Sequence, residues 1–330
     1  MAETANIARI AEQVSRDLFE VFNWNRIKIT NCNWKCIDPV RHSTGSGTHP
    51  TDVVWHYEEP YETKRTYIQA DLKSYACKSI SRAAIQASLR NLAMAVECAP
   101  DSPEWRNYFW MEESCPSQVV GLLFIYNHDG DFDSDFSFLM QEPIDGPSFK
   151  MKAGTRIMVM GPRMIWELCS IALDIKQFPA EYGLGLQWVP FYPEGRLRQF
   201  RRFTEISCIP MTVDALFSNV ISFKVKPFDY QGDYQDLHVY YRGTGETKEE
   251  FLNLVDSFFR YQTIETAGKI VIHHVSSKSP NDAAVLNFER ACNEIASLYN
   301  VGNKKLESLE FETLSLTKPG FTATEIGMRL

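Results

Sequence analysis

Residues 48–76 read THPTDVVWHYEEPYETKRTYIQADLKSYA, and the chain is best understood outward from them. Asp52 to Tyr57 is β-branched and aromatic, the composition of a strand. Glu58 to Lys64, with Pro60, is a turn, and Thr66 to Lys73 alternates again, placing Asp71 and Lys73 on one face by the two-residue period. Paired as an antiparallel hairpin, the start of the first strand lies beside the end of the second, so Asp52 and Asp71 become neighbours. Two carboxylates with a lysine two residues past the second can hold a divalent cation and leave an ammonium facing a substrate. The plainer reading, a cross-strand patch of surface charge, stays open at this point.

Upstream, residues 4–23 predict a helix, with Ile7, Ile10, Val14, Leu18, Val21 and Phe22 at three- and four-residue steps. Glu12 falls at the edge of that stripe, where a carboxylate reaches a neighbouring site or simply meets solvent. Residues 24–33 alternate as a strand, and DPVRHSTGSGTHP (38–50) is a loop. Cys32 and Cys36, followed by His42 and His49, depart from metal-knuckle spacing. They read as strand cysteines followed by loop histidines. The eight cysteines are otherwise scattered, as in a reduced cytoplasmic protein.

Downstream, Ser79 or Ser81 caps a helix running to Cys98, on which Gln86 and Arg90 lie four apart. Residues 119–126 are apolar on both faces, a strand buried within a sheet. Asp131, Asp133, Asp135 and Glu142 have the spacing of a calcium loop but Phe136 where a glycine is needed, and read as an acidic turn followed by a strand through Phe138 to Met140. A short strand (156–160) and a helix (163–177) follow. The proline- and glycine-rich stretch 178–195 predicts a boundary between domains 1–178 and 179–330. Just past it, Arg196, Arg198, Arg201 and Arg202 interleave with Phe200 and Phe203, either a phosphate- and base-binding patch or a solvated helix face. The remainder predicts strand, strand, helix, strand, helix, strand, an α/β layer without a chemical motif.

Thirty-four lysines and arginines against 42 acids give a net charge of −8, which excludes the diffuse positive field of a protein that captures nucleic acid unaided. The first residues lack the pattern of a signal peptide, and no apolar run is long enough to span a membrane.

The order helix with an edge acid, strand, strand opening on Asp, strand closing on Asp-x-Lys, helix, buried strand resembles the PD-(D/E)xK, or restriction-endonuclease-like, nuclease superfamily over roughly residues 5–128. Glu12 with its apolar pattern through Trp24, Pro50-Thr51-Asp52 and Asp71-Leu72-Lys73 carry the likeness, and Thr51 is an insertion into the Pro-Asp motif. The resemblance implies an α-β-β-β-α-β core with a C-terminal α/β domain for substrate or partner binding. It also implies hydrolysis of phosphodiesters, in DNA, within a bacterial anti-phage or restriction system. Asp52, Asp71, the Leu72 carbonyl and Glu12 would hold Mg²⁺ or Mn²⁺, Lys73 would stabilise developing charge, and Gln86 would be the polar helix residue many relatives carry. A partner subunit or a homo-oligomer would make up for the acidic charge. The competing expectation is a binding subunit that keeps the fold without turnover.

Overall fold

A computed structural model describes residues 2–42, 44–134, 136–140, 151–183, 186–192, 209–226, 235–277, 281–300, 306 and 308–319. The chain forms two compact units, the first to Trp166 and joined by Lys318 and Pro319, the second spanning Glu167–Thr317.

The first unit runs α1 (Ala2–Val21), β1 (Asn25–Lys35), β2 (Thr48–Glu58), β3 (Arg65–Tyr75), α2 (Arg82–Cys98), α3 (Pro103–Tyr108), β4 (Ser117–Asn127) and β5 (Arg156–Met160). The strands pair in the order β1-β2-β3-β4-β5. β1, β2 and β3 form an antiparallel meander, and β4 and β5 add in parallel. Parallel pairing of β3 with β4 requires a crossover, and α2 supplies it. Ser81 caps α2 by accepting from the Ala84 N–H. Phe19 of α1 stacks on Trp24 and meets Trp55 and Phe124 edge-on, so α1 covers the sheet face that carries Trp55. α2 covers the other face, which carries Asp52, Gln69 and Asp71 by strand alternation.

That second face has one tight place. A β-carbon built on Gly121 of β4 would lie 2.8 Å from Val96 Cγ2 and 3.2 Å from Leu92 Cγ of α2. Because a helical valine has little rotamer freedom, Gly121→Ala must push α2 off the sheet. A loss of about 1–3 kcal/mol is expected, read as a lower denaturant midpoint. An unchanged midpoint would show that α2 is free to shift.

The second unit begins inside α4 (Pro162–Ile175) and continues with α5 (Phe178–Tyr182), β6 (Gln187–Pro190), α6 (Val213–Leu216), β7 (Val220–Lys226), β8 (Gln235–Tyr241), α7 (Lys248–Arg260), α8 (Thr263–Thr266), β9 (Ala267–Ser276), α9 (Asp282–Tyr299) and β10 (Leu309–Ser315). Its sheet has the order β10-β9-β8-β7-β6, with β6, β7 and β8 antiparallel and β9 and β10 added in parallel. The pairing pattern of the first sheet therefore recurs in the second. Phe251, Leu254, Val255 and Phe258 of α7 and Phe288, Ala291 and Ile295 of α9 share one core with Leu237, Val239, Ile270 and Ile272 of the sheet.

Three details depart from the sequence expectation. The boundary falls within α4, because Glu167 pairs with Arg242 and Asp174 accepts from the Tyr240 hydroxyl. The predicted boundary stretch itself contains α5 and β6. Residues Phe136–Met140 form a 3-10 turn rather than a strand. His273 stacks on His238 and Tyr240, whereas its neighbour His274 meets Tyr241 and Phe311, so adjacent strand residues serve opposite faces.

Candidate active site

β2 and β3 pair with Val53 opposite Ala70, and one step further along Asp52 meets the Asp71 end of β3. Asp52 Oδ2 accepts the Leu72 N–H at 2.7 Å, tying β2 to β3. β2 begins at Thr48, so Asp52 lies within the strand and does not open it as the sequence suggests, because residues 48–51 pair with β1. Lys73 Nζ lies 2.6 Å from Asp71 Oδ1. Beside the two carboxylates is a cavity of about 30 Å³, lined by Pro50, Asp52, Gln69, Ala70 and Asp71 and closed by Asn91, Leu92 and Ala95 of α2. This volume suits a single water or ion.

The electrostatics follow from crowding two acids in a half-dry place. Burial, and then the Asp71 carboxylate, push the Asp52 carboxyl up to about 6. Burial pulls the Lys73 ammonium down, but Asp71 and Asp52 outweigh it and hold its pKa above the ordinary lysine value. Lys73 is therefore a cation at neutral pH.

Gln69 is the residue that sequence reading passed over. It is 1% exposed, its Oε1 is buried without a hydrogen-bond partner among the described residues, and it lines the same cavity. An orphaned amide oxygen beside two carboxylates completes a hard, all-oxygen donor set, which fits Mg²⁺ or Mn²⁺ and disfavours softer ions. The signal was available, since Gln69 precedes Asp71 by one period of the strand.

Other predicted residues stand elsewhere. Glu12 pairs with Arg26 of β1 and is not among the residues lining the cavity. Gln86 lies on α2 before Asn91, Leu92 and Ala95, and at about 100° per residue its direction differs from theirs by roughly half a turn. The Leu72 N–H is taken by Asp52, which leaves its carbonyl as the ligand atom expected of it. Arg196, Arg198, Arg201 and Arg202, like Asp135 and Glu142, lie outside the described residues. In the second unit β8 ends His238-Val239-Tyr240-Tyr241, without a carboxylate where β3 carries Asp71. A cavity of about 470 Å³ there is lined mainly by apolar and hydroxyl side chains, with Glu250 its one acid.

A mixed sheet whose hairpin brings Asp52 to Asp71 and Lys73, with a crossover helix closing the site, defines the restriction-endonuclease-like class. Residues 1–164 match the model of the GAPS4 protein PD-(D/E)XK nuclease domain, a match that ends close to the border of the first unit. The N-terminal unit belongs to that PD-(D/E)XK family. Comparison with curated proteins gives no match. PD-(D/E)XK nucleases typically use divalent metal ions. Among the described residues, no helix is long and apolar enough to cross a membrane.

Proposed function

We propose that the chain is a Mg²⁺- or Mn²⁺-dependent nuclease that hydrolyses phosphodiester bonds in DNA and serves a cytoplasmic anti-phage system, the setting associated with its family. The observation that carries this reading is the cavity shared by Asp52, Gln69 and Asp71, with Lys73 on Asp71. Asp52 and Asp71 would hold the ion, and Gln69 Oε1 and the Leu72 carbonyl would supply further oxygens. Glu12, paired with Arg26, acts at most on the position of α1 against β1. A bound divalent ion supplies Lewis-acid chemistry, making water a better nucleophile and offsetting phosphoryl charge.

The remaining steps belong to the protein. Lys73, held protonated by its acidic neighbours, donates hydrogen bonds and stabilises the charge that develops on phosphate oxygens, rather than acting as a general base. Asp71 orients Lys73 as well as binding the ion. Leu92 and Ala95 exclude bulk water from the back of the cavity, which strengthens each of these interactions. With a net charge of −8, DNA capture is assigned to a partner subunit, a second copy of the chain, or the arginines at 196–202.

The test is incubation of the full chain, alone and with the product of its neighbouring gene, with linear and circular DNA. Cleavage should need Mg²⁺ or Mn²⁺, stop with chelator, and fall about 10²–10³-fold in Lys73→Ala. Full activity in both Lys73→Ala and Asp71→Ala would sink the assignment. No cleavage by any combination, with Mn²⁺ still bound, would favour the binding-subunit reading that the acidic charge suggests.

A further inference from the structure

A second cluster of ligand-type side chains lies in the first unit, and none of its members lines the acidic cavity. Cys36 follows β1, His42 stands in the loop 36–47, His49 is on β2, and Cys98 ends α2. All four are buried, and one ligand atom from each lies within 4.8 Å of all the others. Cys36 Sγ is 3.1 Å from His42 Nδ1, His49 Nε2 is 3.2 Å from the same Nδ1, and the two sulfurs are 3.9 Å apart. A tetrahedral zinc ion with ordinary bond lengths would separate its donors by about 3.8 Å (S to S), about 3.6 Å (S to N) and about 3.3 Å (N to N). The three measured separations lie within about 0.5 Å of these values, and the remaining pairs lie within 4.8 Å.

Hydrogen bonding alone does not account for the convergence. His42 Nε2 faces Glu97 Oε1 at 3.3 Å, so as the neutral imidazole its proton sits on Nε2 and Nδ1 has one lone pair. Both the Cys36 thiol and His49 crowd that lone pair. The surroundings are those of a ligand set: Glu97 is itself fixed by Arg41 Nε at 2.8 Å and by the Lys152 N–H at 2.9 Å, and Cys98 Sγ accepts the Ile37 N–H at 3.2 Å. A carboxylate behind a histidine fixes the tautomer that leaves the other nitrogen free for a metal.

We propose that Cys36 Sγ, His42 Nδ1, His49 Nε2 and Cys98 Sγ bind one structural Zn²⁺, which fastens the loop 36–47 and the start of β2 to the end of α2. Binding releases one proton from each thiol, and two thiolates with two neutral imidazoles bring the centre to zero net charge, as its burial requires. All four positions are filled by protein, so the ion is structural and has no open site for chemistry. Its place matters for the acidic cavity, because His49 lies three residues before Asp52 on the same strand.

The experiment measures metal content by mass spectrometry on the full chain purified in reductant without chelator. About one zinc per chain is expected in the wild type and in Asp71→Asn, and less than about a tenth of that in Cys98→Ser. Glu97→Gln should keep zinc but bind it about tenfold more weakly. Should Cys98→Ser fail to fold, cobalt decides. The Co²⁺-loaded wild type should show tetrahedral visible bands and thiolate charge transfer, and His49→Cys, which keeps four ligands, should strengthen the latter. Zinc-free wild type with no cobalt–thiolate band, a Cys36–Cys98 disulfide in its place, or full zinc in Cys98→Ser would each overturn the proposal. Loss of zinc in Asp71→Asn would also do so, by assigning the ion to the acidic cavity.

Discussion

Asp52→Asn is expected to abolish cleavage and, without metal, to melt at a higher temperature than the wild type. Asp52 has its pKa raised from 3.8 to about 6 by burial and by Asp71, so the folded protein holds that proton more tightly than the unfolded chain does. Below about pH 4 both states are protonated and the residue has no cost. As pH rises through about 6 the native carboxylate must ionise beside Asp71, and the cost approaches about 3 kcal/mol at 1.36 kcal/mol per pKa unit. Asparagine removes that charge while its Oδ1 still accepts the Leu72 N–H. The midpoint at pH 7.5 should therefore rise by several degrees, at about 2–4 °C per kcal/mol, and the gain should vanish near pH 4. Mg²⁺ should raise the midpoint of the wild type and not that of the variant, since only two carboxylates together repay its binding. Cleavage should drop at least about a thousandfold. Calorimetry across pH, with and without Mg²⁺, reads the first effect; a variant less stable than wild type at pH 7.5 would mean that the acids do not repel.

Glu167→Gln is expected to be the most damaging single change in the second unit. Glu167 and Arg242 have side chains 7% exposed, with Arg242 Nε 3.1 Å from Glu167 Oε2. The guanidinium also donates to the Leu216 carbonyl at 2.6 Å and the Ser218 carbonyl at 3.2 Å, so one side chain just past β8 joins α4, the end of α6 and the turn before β7. Burial lowers the Arg242 pKa and Glu167 opposes the shift. Removing one partner leaves a buried charge uncompensated, at about 3–5 kcal/mol. The thermal midpoint of this unit should fall by about 10 °C. Glu167→Leu with Arg242→Met, which removes both charges, should lose less than Arg242→Met alone. Equal losses would show that Arg242 acts through the two carbonyls and not through the acid.

Both units show where local pattern suffices. The two-residue period in 48–76 places Asp71 and Lys73 on one face, and the hairpin brings Asp52 to them. Ser81 and Thr247 announce their helices by local capping chemistry, and the reciprocal Thr247–Glu250 capping box is present. Glu12 was legible as an edge carboxylate, but helical periodicity says nothing of the charge across from it, and Arg26 takes it. Gln86 was legible as a polar helix residue, whereas its direction depends on how α2 rotates over β4. Gly121 is a place where the two approach closely.

What the sequence by itself determined is the order and type of the principal elements, though not α5, β6 or the 3-10 turn at Phe136–Met140, and the pair of acids with their lysine, because strand alternation, hairpin pairing and capping act over a few residues. What only the tertiary structure decided is which distant groups share a space. Gln69 joins the acids because α2 closes a cavity over them. Cys98 joins Cys36, His42 and His49 from 62 residues beyond Cys36, while the nearby Cys32 does not. α4, read as the end of one domain, opens the next because its buried Glu167 meets Arg242 and its partly buried Asp174 meets Tyr240. Such juxtapositions come from packing helices on both faces of a twisted sheet, and no local period encodes them.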